Sequence, residues 1–167
     1  MQNKRLFEQL YKEHYPGLLH FATGWLGVES EAHEIVQEVF ISVWEKGDEL
    51  NWESGLKSYL YRSVKNRCLN LNRDRKITSD VEDYKDHIQS SAVSPDQGMI
   101  NEDLNLRINR AIASLPNRCR QVFLLKRREG FSQKEIAELM DTTEKTVENQ
   151  MSKAMKILRA EIKINHE

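Results

Sequence analysis

The stretch from Gly130 to Arg159, GFSQKEIAELMDTTEKTVENQMSKAMKILR, restricts the possible folds of this chain more than any other. It spells helix, tight turn, helix. Ser132 stands three residues before Glu135, the spacing of a capping box, in which hydroxyl and carboxylate each accept from an orphan amide. Ile136, Ala137 and Met140 follow on one helical face. Asp141-Thr142-Thr143 breaks the pattern. Thr143 is placed to cap a second helix, and Glu144 suits that helix's positive end. Asp141 occupies a turn position where glycine is usual, and aspartate tolerates the left-handed conformation better than most residues. In the second helix Val147, Met151, Ala154 and Leu158 recur at i, i+4, i+7 and i+11, a narrow buried seam. Lys145, Glu148, Asn149, Ser152, Lys153 and Lys156 are left outside. A short capped helix crossing a second one with a polar, donor-rich front is the arrangement that places its second helix in the DNA major groove. Paired amphipathic helices also serve as plain core, so this segment alone leaves both readings open.

Charge distribution argues for the first. The 167 residues carry a formal net charge of only −1, but the signs are segregated. Leu56–Lys76 has seven basic residues against one acidic, a net of +6. Ile77–Asn105 has one basic against seven acidic, a net of −6. Leu106–Glu167 has thirteen basic against eight acidic, a net of +5. Two basic surfaces flanking an acidic spacer suit a polyanion touched at two places. The low apolar content of 39 % favours two small cores over one thick one.

From the N-terminus, Asn3–Leu26 reads as two helices, with Pro16 in the first turn of the second, where proline is tolerated. Leu6, Phe7, Leu10 and Tyr11 line the first; Leu18, Leu19, Ala22, Trp25 and Leu26 line the second. After a turn at Gly27, Ser30 is the expected cap of a helix with the cleanest periodicity in the chain: Ala32, Ile35, Val36, Val39, Phe40, Val43 and Trp44. Its outer face carries Glu34, Gln37, Glu38 and Glu45, either a solvated face or a dock for a basic helix. Gly47 stops it, and Trp52 lies in the polar loop to Gly55, as a core anchor or as a stacking face for an unpaired base.

A strongly basic helix follows over Leu56–Lys76, with Leu56, Tyr59, Leu60, Val64, Cys68 and Leu71 expected inside. Arg62, Lys65, Asn66, Arg67, Asn70, Arg73, Arg75 and Lys76 are expected outside, cations for phosphates and amides for base edges. Ile77–Asn105 is rich in acids, serines and breakers and reads as a flexible linker, extended at least to Gly98. Such an acidic chain can fold back onto the basic surfaces as a nucleic-acid mimic; a solvated tether is the alternative. Periodicity returns with Leu104, Ile108, Ala111, Ile112 and Leu115, and then with Val122, Phe123 and Leu125 after the Leu115-Pro116-Asn117 turn. No strand-like alternation and no internal repeat occurs.

Cys68 and Cys119 are isolated, and the five histidines share no metal-ligand spacing, so neither a metal nor another cofactor is expected. A signal-peptide pattern and an apolar run long enough for a bilayer are also missing from the sequence, which predicts a cytoplasmic protein with no direct membrane insertion. Nothing resembles a catalytic cluster, and no enzymatic activity is expected.

With these pieces in order, the chain resembles a bacterial RNA polymerase sigma factor of the extracytoplasmic-function (ECF) group. Glu31-Ala32-His33-Glu34-Ile35-Val36-Gln37-Glu38-Val39-Phe40 is similar to the acidic D-A-E-D-hydrophobic-V-Q-E-V-F stretch of region two. Tyr59-Leu60-Tyr61-Arg62 and Asn66 through Arg73 resemble its W-L-…-R-N…D..R helix, with Tyr59 in place of the tryptophan and Asn70 in place of the aspartate. Leu115-Pro116, Arg120-Gln121-Val122-Phe123, Glu129-Gly130-Phe131-Ser132, Glu135-Ile136-Ala137-Glu138, Thr146-Val147 and Ala154 through Arg159 resemble region four.

The resemblance implies an all-α protein of two small helical domains, region two over residues 1–76 and region four over 104–167, joined by the flexible acidic linker 77–103. It implies that Glu34, Gln37 and Glu38 grip core RNA polymerase. Asn51 and Trp52, with Arg62, Lys65, Asn66, Asn70 and Arg73, would hold the melted minus-ten promoter DNA. Thr143, Lys145, Thr146, Glu148, Asn149, Ser152 and Lys153 would read the minus-thirty-five element. An anti-sigma factor, possibly membrane-bound, is a further implied partner. A two-domain helix-turn-helix activator that does not join polymerase is the alternative; it leaves the basic helix at Leu56–Lys76 and the acidic face unexplained. Limited proteolysis is expected to cut first between Ile77 and Asn101, and early cuts inside Ser30–Lys46 would contradict this division.

Overall fold

The computed structural model describes residues 2–78 and 102–164. The expected linker lies almost wholly outside them. Seven α-helices and one short 3-10 turn make up the described residues, with no strand. The chain divides into two compact units, Met1–Gln89 and Ser90–Glu167.

In the first unit α1 (Gln2–Leu26), α2 (Glu29–Lys46) and α3 (Leu56–Thr78) pack on one another, with a 3-10 turn (Gly47–Glu49) after α2. The core is Leu18, Phe21, Ala22 and Leu26 from α1, Ala32 through Val43 at the expected spacing from α2, and Leu56, Leu60, Tyr61, Val64 and Cys68 from α3. Rings from both ends of this layer meet: Phe40 lies 4.8 Å from Tyr11 and 6.0 Å from Phe7, and Phe21 lies 5.2 Å from Tyr61.

Several local expectations are corrected. Asn3–Leu26 forms a single helix with Pro16 inside it. Proline removes one amide and crowds the carbonyl four residues back. Both Pro16 and Lys12 are exposed, so water can reach that carbonyl. The rings of Tyr11 and Tyr15, tilted by 31° with 4.8 Å between centroids, bridge the turn before the proline. Leu6 and Tyr11, expected inside, are 37 % and 36 % exposed. The second helix begins at Glu29 with Val28 as its uncapped N-cap residue, so Ser30 sits inside the first turn. Gly27, at φ 76°, makes the sharp turn that brings the chain into that helix. Carboxylates Glu29 and Glu31 in the first turn offset the missing cap.

The tyrosines of α3 exchange places. Tyr61 is fully buried, whereas Tyr59, expected inside, is half-buried and accepts a 3.0 Å hydrogen bond from Lys46 Nζ. Residues 60, 61, 64 and 68 form the inward stripe, one position further round the helix than the apolar pattern implied.

The second unit comprises α4 (Glu102–Ala113), α5 (Asn117–Arg127), α6 (Gln133–Leu139) and α7 (Glu144–Ile164). Helix α7 packs against the other three. Its seam of Val147, Ala154 and Leu158 is buried, with Met151 half-buried. Ala111, Ile112, Leu115 and Cys119 close one cluster with Ala154 and Leu158. Leu104 and Ile108, expected inside, are 45 % and 37 % exposed, because only the last turn of α4 reaches this core.

Candidate nucleic-acid interface

The junction of α6 and α7 is fixed by local chemistry. Ser132 Oγ accepts from the Glu135 amide at 3.1 Å, and Glu135 Oε1 accepts from the Ser132 amide at 3.3 Å, completing the capping box. Asp141 adopts φ 53°, the left-handed turn expected of it. The Thr142 amide donates to the Ala137 carbonyl at 2.9 Å and closes the C-terminal turn. Thr143 Oγ1 caps α7 by accepting from the Thr146 amide at 3.1 Å. Gln133 adds a tie that the sequence did not disclose: its Nε2 donates to the Glu144 carbonyl at 2.8 Å, joining the first turns of the two helices. Since a non-glycine residue in the left-handed region is strained, Asp141→Gly is expected to raise unfolding stability by about 0.5–1 kcal/mol, read by chemical denaturation.

That geometry leaves Lys145, Glu148, Asn149, Ser152, Lys153 and Lys156 exposed on the front of α7. Lys145 and Glu148 form a 3.5 Å ion pair between highly exposed side chains, a weak contact that a ligand can displace. Thr143 and Thr146 are exposed as well, with their hydroxyls 3.0 Å apart.

On the first unit, Arg62, Asn66, Asn70 and Arg73 form an exposed stripe along α3 at i, i+4, i+8 and i+11. Lys65 does not join it: only 6 % exposed, it falls beside Val64 on the flank between Tyr61 and Cys68. Arg67 is also turned aside. Its two terminal nitrogens donate to Glu38 Oε2 and Ser42 Oγ of α2, each at 3.0 Å. Arg75 pairs with Glu31 of α2. In the loop before α3, Asn51 is exposed, with Oδ1 accepting from the Glu53 amide at 3.0 Å and Nδ2 donating to Ser54 Oγ at 3.1 Å. Trp52 is half-buried and its indole N–H donates to the Gly47 carbonyl at 2.7 Å, so the ring anchors the loop.

The outer face of α2 carries Glu34, Gln37 and Glu38, all exposed. Ile41 and Trp44 share that face at 57 % and 51 % exposure. Trp44 was expected in the buried seam; its ring instead covers Phe7 at 5.0 Å from the outside. Ile41 had a legible signal, since it is an apolar residue out of phase with the seam.

Neither cysteine is poised for chemistry. Burial pushes the Cys68 thiol up to about 12 and also raises Cys119, whose Sγ lies 3.3 Å from the Gln150 carbonyl. Among the described residues no helix is long and apolar enough to cross a membrane.

Comparison with known proteins gives each unit a family match. Residues 10–78 match the family described as Sigma-70 region 2, and residues 105–158 match Sigma-70, region 4. The RNA polymerase sigma-H factor of Pseudomonas aeruginosa is 26 % identical over 161 residues, covering 91 % of this chain and 83 % of that protein. The ECF RNA polymerase sigma-E factor of Escherichia coli is 29 % identical over 130 residues, covering 72 % of this chain and 68 % of that one. Among solved structures, the sigma factor RpoE of Bartonella quintana, in complex with the anti-sigma factor NepR, superposes with a TM-score of 0.63 at 23 % identity. That match covers 95 % of this chain and 97 % of that one. With a region two and a region four in the family's order and relatives named as sigma factors along most of its length, the chain belongs to the sigma-70 family and is an alternative sigma factor of the ECF group.

Proposed function

We propose that this sigma factor works in the cytoplasm by dividing promoter recognition between its two units. Helix α7 enters the major groove of the minus-thirty-five element. Lys145, Glu148, Asn149 and Ser152 meet base edges there, and Lys153 and Lys156 meet phosphates. Thr143 and Thr146 contribute at the entry of the helix. The stripe Arg62, Asn66, Asn70 and Arg73 holds the unpaired minus-ten strand, with Asn51 and the loop anchored by Trp52 at its edge. Captured bases offset an unstacking cost of a few kcal/mol each. Core polymerase docks on α2 at Glu34, Gln37 and Glu38, with Ile41 and Trp44 as the apolar centre. An anti-sigma factor, as in the Bartonella quintana complex, is the natural antagonist of such surfaces. The chain contributes positioning and readout, and polymerase carries out the bond chemistry.

The observation that carries this reading is the exposed polar front of α7, held in place by the capping box, the left-handed Asp141 and the Gln133 tie. Its test is a pair of substitutions in the full chain. Asn149→Ala is expected to cost about 1–3 kcal/mol on the cognate promoter and to relax discrimination at one position. Lys156→Ala is expected to weaken all sequences alike and to lower the salt dependence by about one phosphate contact. Equal, sequence-blind losses from both would contradict the assignment.

A further inference from the structure

The contact of Arg67 with Glu38 and Ser42 joins the two faces that the proposed function keeps apart. Arg67 belongs to the basic helix α3, flanked by Asn66 and separated from Asn70 by less than one turn. Glu38 belongs to the acidic face of α2, beside Gln37 and one turn from Ile41. The two terminal nitrogens of one guanidinium are divided between carboxylate and hydroxyl, each at 3.0 Å. Both side chains of the ion pair stay open to solvent, at 39 % and 54 % exposure. A basic group approaching α2 and a phosphate approaching α3 can therefore each reach one half of this pair.

We propose that Arg67 is a shared group whose release couples polymerase docking to capture of the DNA strand. In the free protein Glu38 neutralises Arg67 and turns it away from the stripe of Arg62, Asn66, Asn70 and Arg73. A cationic side chain of the polymerase that pairs with Glu38 removes the main partner of Arg67. The guanidinium is then held only by Ser42, a neutral acceptor, and can swing to a phosphate beside Asn66 and Asn70. The coupling is reciprocal: a phosphate that takes Arg67 leaves Glu38 open and strengthens docking by the same factor. Its size is bounded by what an exposed ion pair is worth, a coupling of about two- to five-fold at low salt. It shrinks as ionic strength rises. Such a device disfavours DNA binding by sigma alone. Arg75, held by Glu31 on the same two helices, is less exposed, so it remains a structural tie.

This inference rests on the docking of polymerase at α2, and the experiment separates the two. A labelled single-stranded oligonucleotide is titrated against the full chain without polymerase, for the parent, Glu38→Gln, Arg67→Gln and the double variant. Circular dichroism checks that helicity is kept. Glu38→Gln is expected to tighten binding about two- to five-fold at low salt, and Arg67→Gln in the same chain is expected to abolish that gain. Removing the equivalent charge one turn earlier, Glu34→Gln, is expected to give a smaller gain that survives Arg67→Gln. The same oligonucleotide is then titrated against the chain bound to core polymerase, where Arg67→Gln is expected to cost about two- to five-fold more than in the free chain. Additive effects of Glu38→Gln and Arg67→Gln would overturn the proposal. So would an Arg67→Gln loss that is the same with and without polymerase. Failure of the parent chain to bind polymerase would instead overturn the docking assignment on which the proposal stands. It is told apart because it leaves the cycle on the free chain intact.

Discussion

Replacing Phe40 with alanine is expected to destabilise the first unit strongly while leaving the second unchanged. Phe40 is 2 % exposed and meets the rings of Phe7, Tyr11 and Tyr15 at centroid distances of 6.0, 4.8 and 6.2 Å. Truncating a buried phenylalanine costs about 3–5 kcal/mol through lost transfer energy and an unfilled cavity. A domain of this size has about 5–15 kcal/mol in total, so the loss takes a large share of its stability. The chain divides into two compact units, and α7 packs on α4, α5 and α6. Chemical denaturation followed by fluorescence and circular dichroism should therefore resolve two transitions, of which only one moves. A single transition that shifts as a whole would mean that the units fold as one.

Polymerase affinity is expected to collapse when the outer face of α2 is altered, with the helix itself unharmed. Gln37→Ala combined with Glu38→Lys should abolish binding to core, because both side chains are exposed and neither enters the seam. Ile41→Ala should cost about 2 kcal/mol, roughly thirty-fold in affinity, as expected for an apolar anchor at the centre of an interface. Ile41 is 57 % exposed, so the same change should alter unfolding stability by no more than about 0.5 kcal/mol. That contrast separates a docking residue from a structural one. Binding to core that survives Ile41→Ala while helicity falls would assign Ile41 to the fold instead.

Family, helix content and the capped helix pair were legible in the sequence because each rests on local chemistry. A capping box needs two side chains three residues apart, and Ser132 and Glu135 formed it as written. A left-handed turn needs one tolerant residue, and Asp141 supplied it. The seam of α2 needs only the helical repeat, and six of its seven expected members are buried. The seventh, Trp44, was misplaced because periodicity gives the angle of a side chain around a helix and not how far the neighbouring helix extends to cover it. Leu104 and Ile108 failed in the same way.

Only tertiary structure decided which polar groups are free to act. Composition counts Lys65, Arg67 and Arg75 with the other cations of α3. Packing against α1 and α2 buries Lys65, ties Arg67 to Glu38 and pairs Arg75 with Glu31. The same packing turned Tyr61 inward and left Tyr59 at the surface with Lys46. Charge, spacing and capping potential are properties of a segment and can be read along it. Exposure and pairing depend on residues tens of positions away, such as Glu38 for Arg67, and exist only once the helices have met.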